Sequence, residues 1–119
     1  MPISILAVDD EQNLLELLIT VLGKRGFAVK TALNGTDALK LVEKECFHLA
    51  LLDIKMGPVS GVQLLKEIKG RRPIMKVVMM TAYPTSESRM QASENGASAY
   101  LTKPVDLQKL VDTINSLTH

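Results

Sequence analysis

Five side chains in this sequence have types suited to chemistry and stand at matching places: Asp9, Asp10, Asp53, Thr81 and Lys103. Each follows a short apolar run. Residues 3–8 lead into Asp9-Asp10-Glu11, 49–52 into Asp53, 74–80 into Thr81, and 99–101 into Thr102-Lys103. If these runs are strands of one parallel sheet, all five groups face the crevice outside the strands' carboxyl ends, where ligands bind. Two like charges about 4 Å apart interact by about 4 kcal/mol at a near-surface dielectric. Three carboxylates sharing a crevice therefore repel unless protons or a cation join them. A hard divalent ion with oxygen ligands fits, and Mg²⁺ is a good candidate because it works with few carboxylates plus waters and phosphate oxygens. A lysine ammonium and a threonine hydroxyl beside it suit the spread negative charge of a phosphoryl group in transfer. Asp53 is then a carboxylate nucleophile.

Taken singly, each residue has a plainer reading. Asp9-Asp10-Glu11 could be an acidic helix start, Asp53 a loop-opening residue, Thr81 a structural hydroxyl and Lys103 a solvated charge. Their joint placement at strand ends argues for chemistry.

The elements that must position them follow from periodicity. The run 49–52 is continuously apolar, the habit of a strand buried on both faces. Leu14, Leu17, Leu18, Val21 and Leu22, widened by Leu15, recur at helical spacing behind Asp10, which serves as N-cap, and Gly26 follows. A second strand is expected over 27–32, and a second helix opens at Asn34-Gly35 with Ala38, Leu41 and Val42 on one face. Val62, Leu65 and Ile68 mark a third helix, closed by Gly70 and Pro73. The fourth, opening near Tyr83-Pro84-Thr85-Ser86, has a thin apolar face of Met90 and Ala92. Asp106 caps the fifth, whose Leu107, Leu110, Val111, Ile114 and Leu117 form the cleanest stripe. Strict alternation of strand and helix predicts an α/β fold, a parallel five-stranded sheet with helices on both faces. Right-handed crossovers leave the flavodoxin-like order 2-1-3-4-5 as the leading topology.

The sequence has 119 residues, 46% apolar and 23% charged, with net charge +1. That is one domain's worth of chain, with no electrostatic case for nucleic acid or membrane binding. Cys46 is the one cysteine, so an internal disulfide is excluded. It falls in a helical pattern and reads as a small packed hydrophobe. A reducing, cytoplasmic setting is the simplest expectation.

Val8-Asp9-Asp10-Glu11, Leu51-Leu52-Asp53-Ile54-Lys55-Met56, Met80-Thr81-Ala82 and Leu101-Thr102-Lys103-Pro104 resemble the signatures of CheY-like response-regulator receiver domains of two-component systems. The resemblance spans residues 1–119. It implies Asp53 as phospho-acceptor, and Asp10, Asp53 and the backbone carbonyl of Lys55 as Mg²⁺ ligands, with Asp9 acting through a water. It implies Lys103 on the phosphoryl oxygens, Thr81 turning toward the phosphoryl group and Tyr100 moving inward as the switch aromatic. Ala82 supplies the small residue beside the site, and Lys103-Pro104 resembles the family's cis peptide. One departure is visible. The family reads Met-Pro after the acceptor strand, whereas Met56-Gly57-Pro58 places proline one residue later, with Gly61 in register. Lys55 could also reach over the site, though a solvated side chain is the simpler expectation.

The expected function is that of a phosphorelay receiver. A sensor histidine kinase or phosphotransfer protein supplies the phosphoryl group, and the face of helix four, strand five and helix five passes the signal to an output domain or protein. That face also leaves a homodimer open. The domain would catalyse only its own phosphorylation and dephosphorylation. Two rivals remain: an aspartate-nucleophile phosphatase-like hydrolase, which would need a substrate-binding cap, and a flavodoxin-like cofactor binder, which would want a phosphate-cradling loop where this chain has acids.

Overall fold

The computed structural model describes residues 2–55 and 60–119. Ten elements alternate along them: β1 (Ser4–Val8), α1 (Gln12–Lys24), β2 (Ala28–Ala32), α2 (Gly35–Lys44), β3 (Leu49–Asp53), α3 (Gly61–Arg71), β4 (Lys76–Thr81), α4 (Ser86–Glu94), β5 (Ala99–Thr102) and α5 (Leu107–Thr118). The strands form one parallel sheet in the order β2-β1-β3-β4-β5, as expected. From β1 the chain crosses to one side to make β2 and returns to the other to make β3. The crevice between β1 and β3 is thus the topological switch point.

Strand alternation divides the core into two layers. Leu6, Val8, Ala50, Leu52, Val77 and Met79 pack with α2, α3 and Ala92 of α4. Ile5, Ala7, Leu49, Leu51, Val78 and Met80 pack with Leu15, Leu18 and Leu22 of α1 and with Leu110, Val111 and Ile114 of α5. A strand covered on both faces must be apolar at every position, and β3 is buried from end to end, Asp53 included.

Several local expectations are corrected. β1 begins at Ser4, β2 at Ala28 and β4 at Lys76; Phe27 packs in the core just before β2. Ile74, assigned to the fourth strand by its side chain alone, is 91% exposed in the turn before it. Glu11, not Asp10, occupies the N-cap of α1, without a side-chain cap bond. Leu17 lies outside the buried stripe of α1. α3 runs through Gly70 to Arg71, because a helix tolerates an interior glycine at a modest cost. Cys46 lies beyond the end of α2 and is exposed, so it is not a packed hydrophobe. Met90 is exposed as well, which leaves Ala92 as the buried residue of α4. Asn34, Ser60, Thr85 and Asp106 do cap their helices, each accepting the N–H three residues on. The displaced Pro58, with Met56 and Gly57, lies outside the described residues.

Candidate functional site

The residues that close the strands meet at one rim. Register places Asp53 of β3 beside Met80 of β4, and Thr81 beside Thr102 of β5. The Lys103 N–H donates to the Thr81 carbonyl at 2.7 Å, tying the end of β5 to that of β4. The peptide bond that follows, Lys103-Pro104, is cis. From β1, Asp9 and Asp10 come up against Asp53, one carboxylate oxygen of each lying within 4.8 Å of the others.

Burial makes this crowding expensive. Asp9 is 0% and Asp53 6% exposed, and unpaired charges out of water are costly. Lys103 offsets part of it. Its Nζ donates to Asp9 Oδ2 at 2.7 Å and lies 3.5 Å from Asp53 Oδ2. The Glu11 N–H donates to Asp9 Oδ1 at 3.0 Å, and the Lys55 N–H to Asp53 Oδ1 at 3.3 Å. The Asp53 carboxyl is held above its ordinary value, first by burial and then by the Asp9 charge; Lys103 and the Lys55 N–H pull it the other way. Burial draws the Lys103 ammonium down, but its hydrogen bond to Asp9 and the charges of Asp9 and Asp53 carry it above the usual lysine value.

Three carboxylates against one ammonium leave a surplus of two negative charges among the groups so placed. The donors are all hard oxygens. A small dication fits that set in charge and in chemistry. Asp10, exposed and on the solvent side of the trio, is the most approachable of the three.

Thr81 is 1% exposed, and its Oγ1 accepts the Tyr83 N–H at 3.0 Å. The hydroxyl proton is thereby left free to donate elsewhere. Tyr100, one residue of β5 short of Leu101, is half-buried. Its hydroxyl shares a 2.6 Å hydrogen bond with Ser88 Oγ, and the Arg89 guanidinium lies over its ring at 4.5 Å. Ser88 also completes the capping box of α4 with Thr85. Reasoning from sequence missed Ser88 and Arg89. Ser88 stands where a capping box ordinarily carries Glu or Gln, so sequence alone carries no signal for it. Tyr83 reads in the sequence only as part of a helix start. Its ring lies 4.9 Å from Nζ of Lys55, whose side chain is exposed, as the simpler expectation had it, and leans toward Tyr83.

Gly61 has a part that periodicity could not reveal. Its N–H donates to the Ile54 carbonyl at 2.8 Å, and a Cβ at this position would stand 2.1 Å from the Asp53 carbonyl oxygen. Only glycine lets α3 start hard against β3.

Comparison with known proteins agrees with this geometry. Residues 5–115 match the model of a family described as the response regulator receiver domain. The chain is 39% identical over 118 residues to the transcriptional regulatory protein ZraR of Klebsiella oxytoca, covering 98% of this chain and 27% of that protein. It thus spans about a quarter of the length of such curated relatives. A CheY-like receiver domain protein from Methanospirillum hungatei superposes with a TM-score of 0.95 at 34% identity, over 98% of this chain and 93% of that one. A response regulator from Burkholderia pseudomallei, solved with a phosphorylated aspartic acid, a calcium ion and citrate, superposes at 0.89 with 30% identity, over 93% of this chain and 65% of the other.

Proposed function

Because the chain belongs to the response regulator receiver domain family, we propose that residues 1–119 act as one phospho-accepting unit whose acceptor is Asp53. Family membership disfavours both the hydrolase and the cofactor-binder readings. The single observation that carries the assignment to Asp53 is its position. It is the carboxylate that closes the central strand, with Lys103 at 3.5 Å and Asp9 and Asp10 within 4.8 Å.

An Asp53 oxygen attacks the phosphorus of a phosphohistidine on a kinase or phosphotransfer partner. The new P–O bond forms as the P–N bond breaks, and its electron pair leaves with the imidazole, which takes up a proton. Loss of the group uses water: its oxygen attacks phosphorus, the bond to Asp53 breaks, and carboxylate and inorganic phosphate remain. Asp10, Asp53 and the Lys55 carbonyl would hold Mg²⁺, with Asp9 reaching it through a water. When bound, the ion supplies charge stabilisation to the phosphoryl oxygens. Lys103 supplies the second positive charge as it exchanges part of its contact with Asp9 for the phosphoryl group. The hydroxyl proton of Thr81 would donate to a phosphoryl oxygen.

Once Asp53 carries about −1.5 to −2 charge, Thr81 is drawn toward it. That movement tugs on the β4–α4 connection through the Tyr83 N–H bond. The loosely buried α4 and the Tyr100 side chain then rearrange, so α4, β5 and α5 form the output face, toward a further domain, a separate protein or a second copy. No helix among the described residues is long and apolar enough to cross a membrane. The partner proposed is a sensor histidine kinase or a phosphotransfer protein, and the meeting place proposed is the cytoplasm.

The test is intact-mass analysis after incubation with acetyl phosphate and Mg²⁺. Wild type is expected to gain one phosphate, and Asp53→Asn none. Equal labelling of the two would overturn the assignment.

A further inference from the structure

Ile74 stands at the tip of the turn that leads into β4, almost wholly in solvent. A single exposed isoleucine needs no explanation of its own; the setting of this one does. The Met75 N–H closes the turn on the Arg72 carbonyl at 3.0 Å, and the Lys69 ammonium donates to the Pro73 and Met75 carbonyls at 2.7 and 3.0 Å. The side chain is thus presented on a stiff mount. Around it stand Lys69, Arg72 and Lys76, none of which pairs with a carboxylate among the described residues. Arg72 donates to the Val42 carbonyl instead. Burial, and then the charge of Lys76, hold the Lys69 ammonium below the usual lysine value, so these two cations feel one another. The opposite arrangement exists at the other end of β4. A cavity of about 330 Å³ lies there between α1 and the chain that enters α5, walled by Leu14, Leu17, Met80, Val105 and Leu107. Glu11 lines it too, next to the exposed Asp10, and Lys103, the cation on its wall, is engaged by Asp9. One end therefore carries an apolar knob among cations, and the other an apolar hole beside acids.

We propose that the Ile74 turn of one molecule docks in the cavity beside α1 of a second copy of this chain. Knob and hole cannot meet within one molecule, since they lie at opposite ends of β4, a strand of six residues that spans about 20 Å. Shape and charge both match. The cavity has room for one branched side chain, and cations of the knob meet acids beside the hole, which fixes the orientation of approach. A turn already held in place loses little freedom on docking. The contact is heterologous, so each end molecule keeps a free knob or a free hole, and copies add head to tail. An interface built on one side chain is small and of the transient kind, populated only where the chain is concentrated. The inference does not depend on which carboxylate accepts a phosphoryl group.

Sedimentation equilibrium of the full chain tests it, at concentrations up to about 1 mM and without divalent ions, which would neutralise the acids. The mean mass of the wild type should rise with concentration and reach no plateau at two chains. Ile74→Asp and Leu17→Asp, both at exposed positions, should each weaken self-association about tenfold or more, the worth of one buried aliphatic side chain. Raising salt from about 0.1 to about 1 M, which shortens the screening length from about 10 to about 3 Å, should weaken it in the wild type. Mixing decides the geometry. Leu17→Asp keeps the knob and Ile74→Asp keeps the hole, so an equal mixture of the two should associate as strongly as wild type and stop at two chains. That recovery also shows both variants to be folded. A wild type that stays monomeric, unchanged association in either variant, indifference to salt or a mixture that stays monomeric would each overturn the proposal. So would a dimer formed through α4, β5 and α5, which neither substitution touches.

Discussion

α3 and α4 cover the same face of the sheet and are held there by different physics. α3 buries Gly61, Leu64, Leu65 and Ile68. α4 buries Ala92 and otherwise leans on polar contacts: the Thr85–Ser88 capping box, the Ser88–Tyr100 bond and Arg89 stacked on Tyr100. Buried apolar area is non-directional and is lost all at once. A net hydrogen bond contributes only about 0.5–1.5 kcal/mol and can be exchanged for another of equal worth. α3, which starts beside Asp53, is therefore anchored, and α4, the helix proposed to respond, is hung on bonds that can be re-made. In a signalling domain that division keeps the chemistry in place while the readout moves.

The sharpest way to break the contrast is at the foot of α3. Gly61→Ala would drive a methyl into the Asp53 carbonyl and the Ile54 Cα, both backbone, which cannot yield. The expected cost is about 3 kcal/mol or more, read from urea unfolding, with phosphorylation impaired. Gly70→Ala, later in the same helix with nothing near its added carbon, should instead stabilise by about 0.5–1 kcal/mol. A harmless Gly61→Ala would show that the anchor is not where we place it.

A smaller effect concerns the charge at the anchored end. Asp53 keeps its proton to a higher pH in the fold than in the unfolded chain. Its contribution to stability is thus fully present below its ordinary value of 3.8 and is lost as pH rises through the raised folded value. Without divalent ions, Asp53→Asn should be more stable than wild type at neutral pH, by about 1 kcal/mol, the ordinary size of a single-site effect. The gap should close toward pH 3, below the ordinary carboxyl value, and Mg²⁺ should narrow it by stabilising wild type alone. Unfolding midpoints across that range, with and without the ion, decide it. A variant less stable than wild type at neutral pH would contradict the crowding of carboxylates.

The smallest effect lies in α4. Tyr100→Phe removes the hydroxyl bonded to Ser88 while keeping the ring under Arg89. A loss of about 1 kcal/mol should appear as faster amide exchange across residues 86–94, with residues 61–71 unaffected. Acceleration spread evenly over both helices would erase the distinction between them.

Much of this was legible in the sequence because strand burial and helical period leave strong marks. Continuous apolarity at 49–52 placed β3, and alternation of elements placed the order of the sheet. Asp9, Asp53, Thr81 and Lys103 were legible as a set because they interrupt that apolarity at equivalent positions. What stayed hidden depends on contacts between residues that no period links. Ile74 looks like a strand residue and faces solvent, since its side chain carries no information about where the chain turns. Gly70 resembles a helix terminator and sits inside one. Cys46 has a packing side chain but follows the last turn of α2. Nothing in the chain's patterning reports that Lys55 finds Tyr83 or that Tyr100 finds Ser88, because each pair is joined only once β3, β4 and β5 lie side by side.

The clasp at the foot of α3 has a further consequence. Ile54 and Gly61 close the segment between them by a backbone bond that uses no side chain from within it. β3 and α3 are thereby joined main chain to main chain. An engineer who rewrites the exposed side chains of α3 beyond Gly61 leaves that join intact.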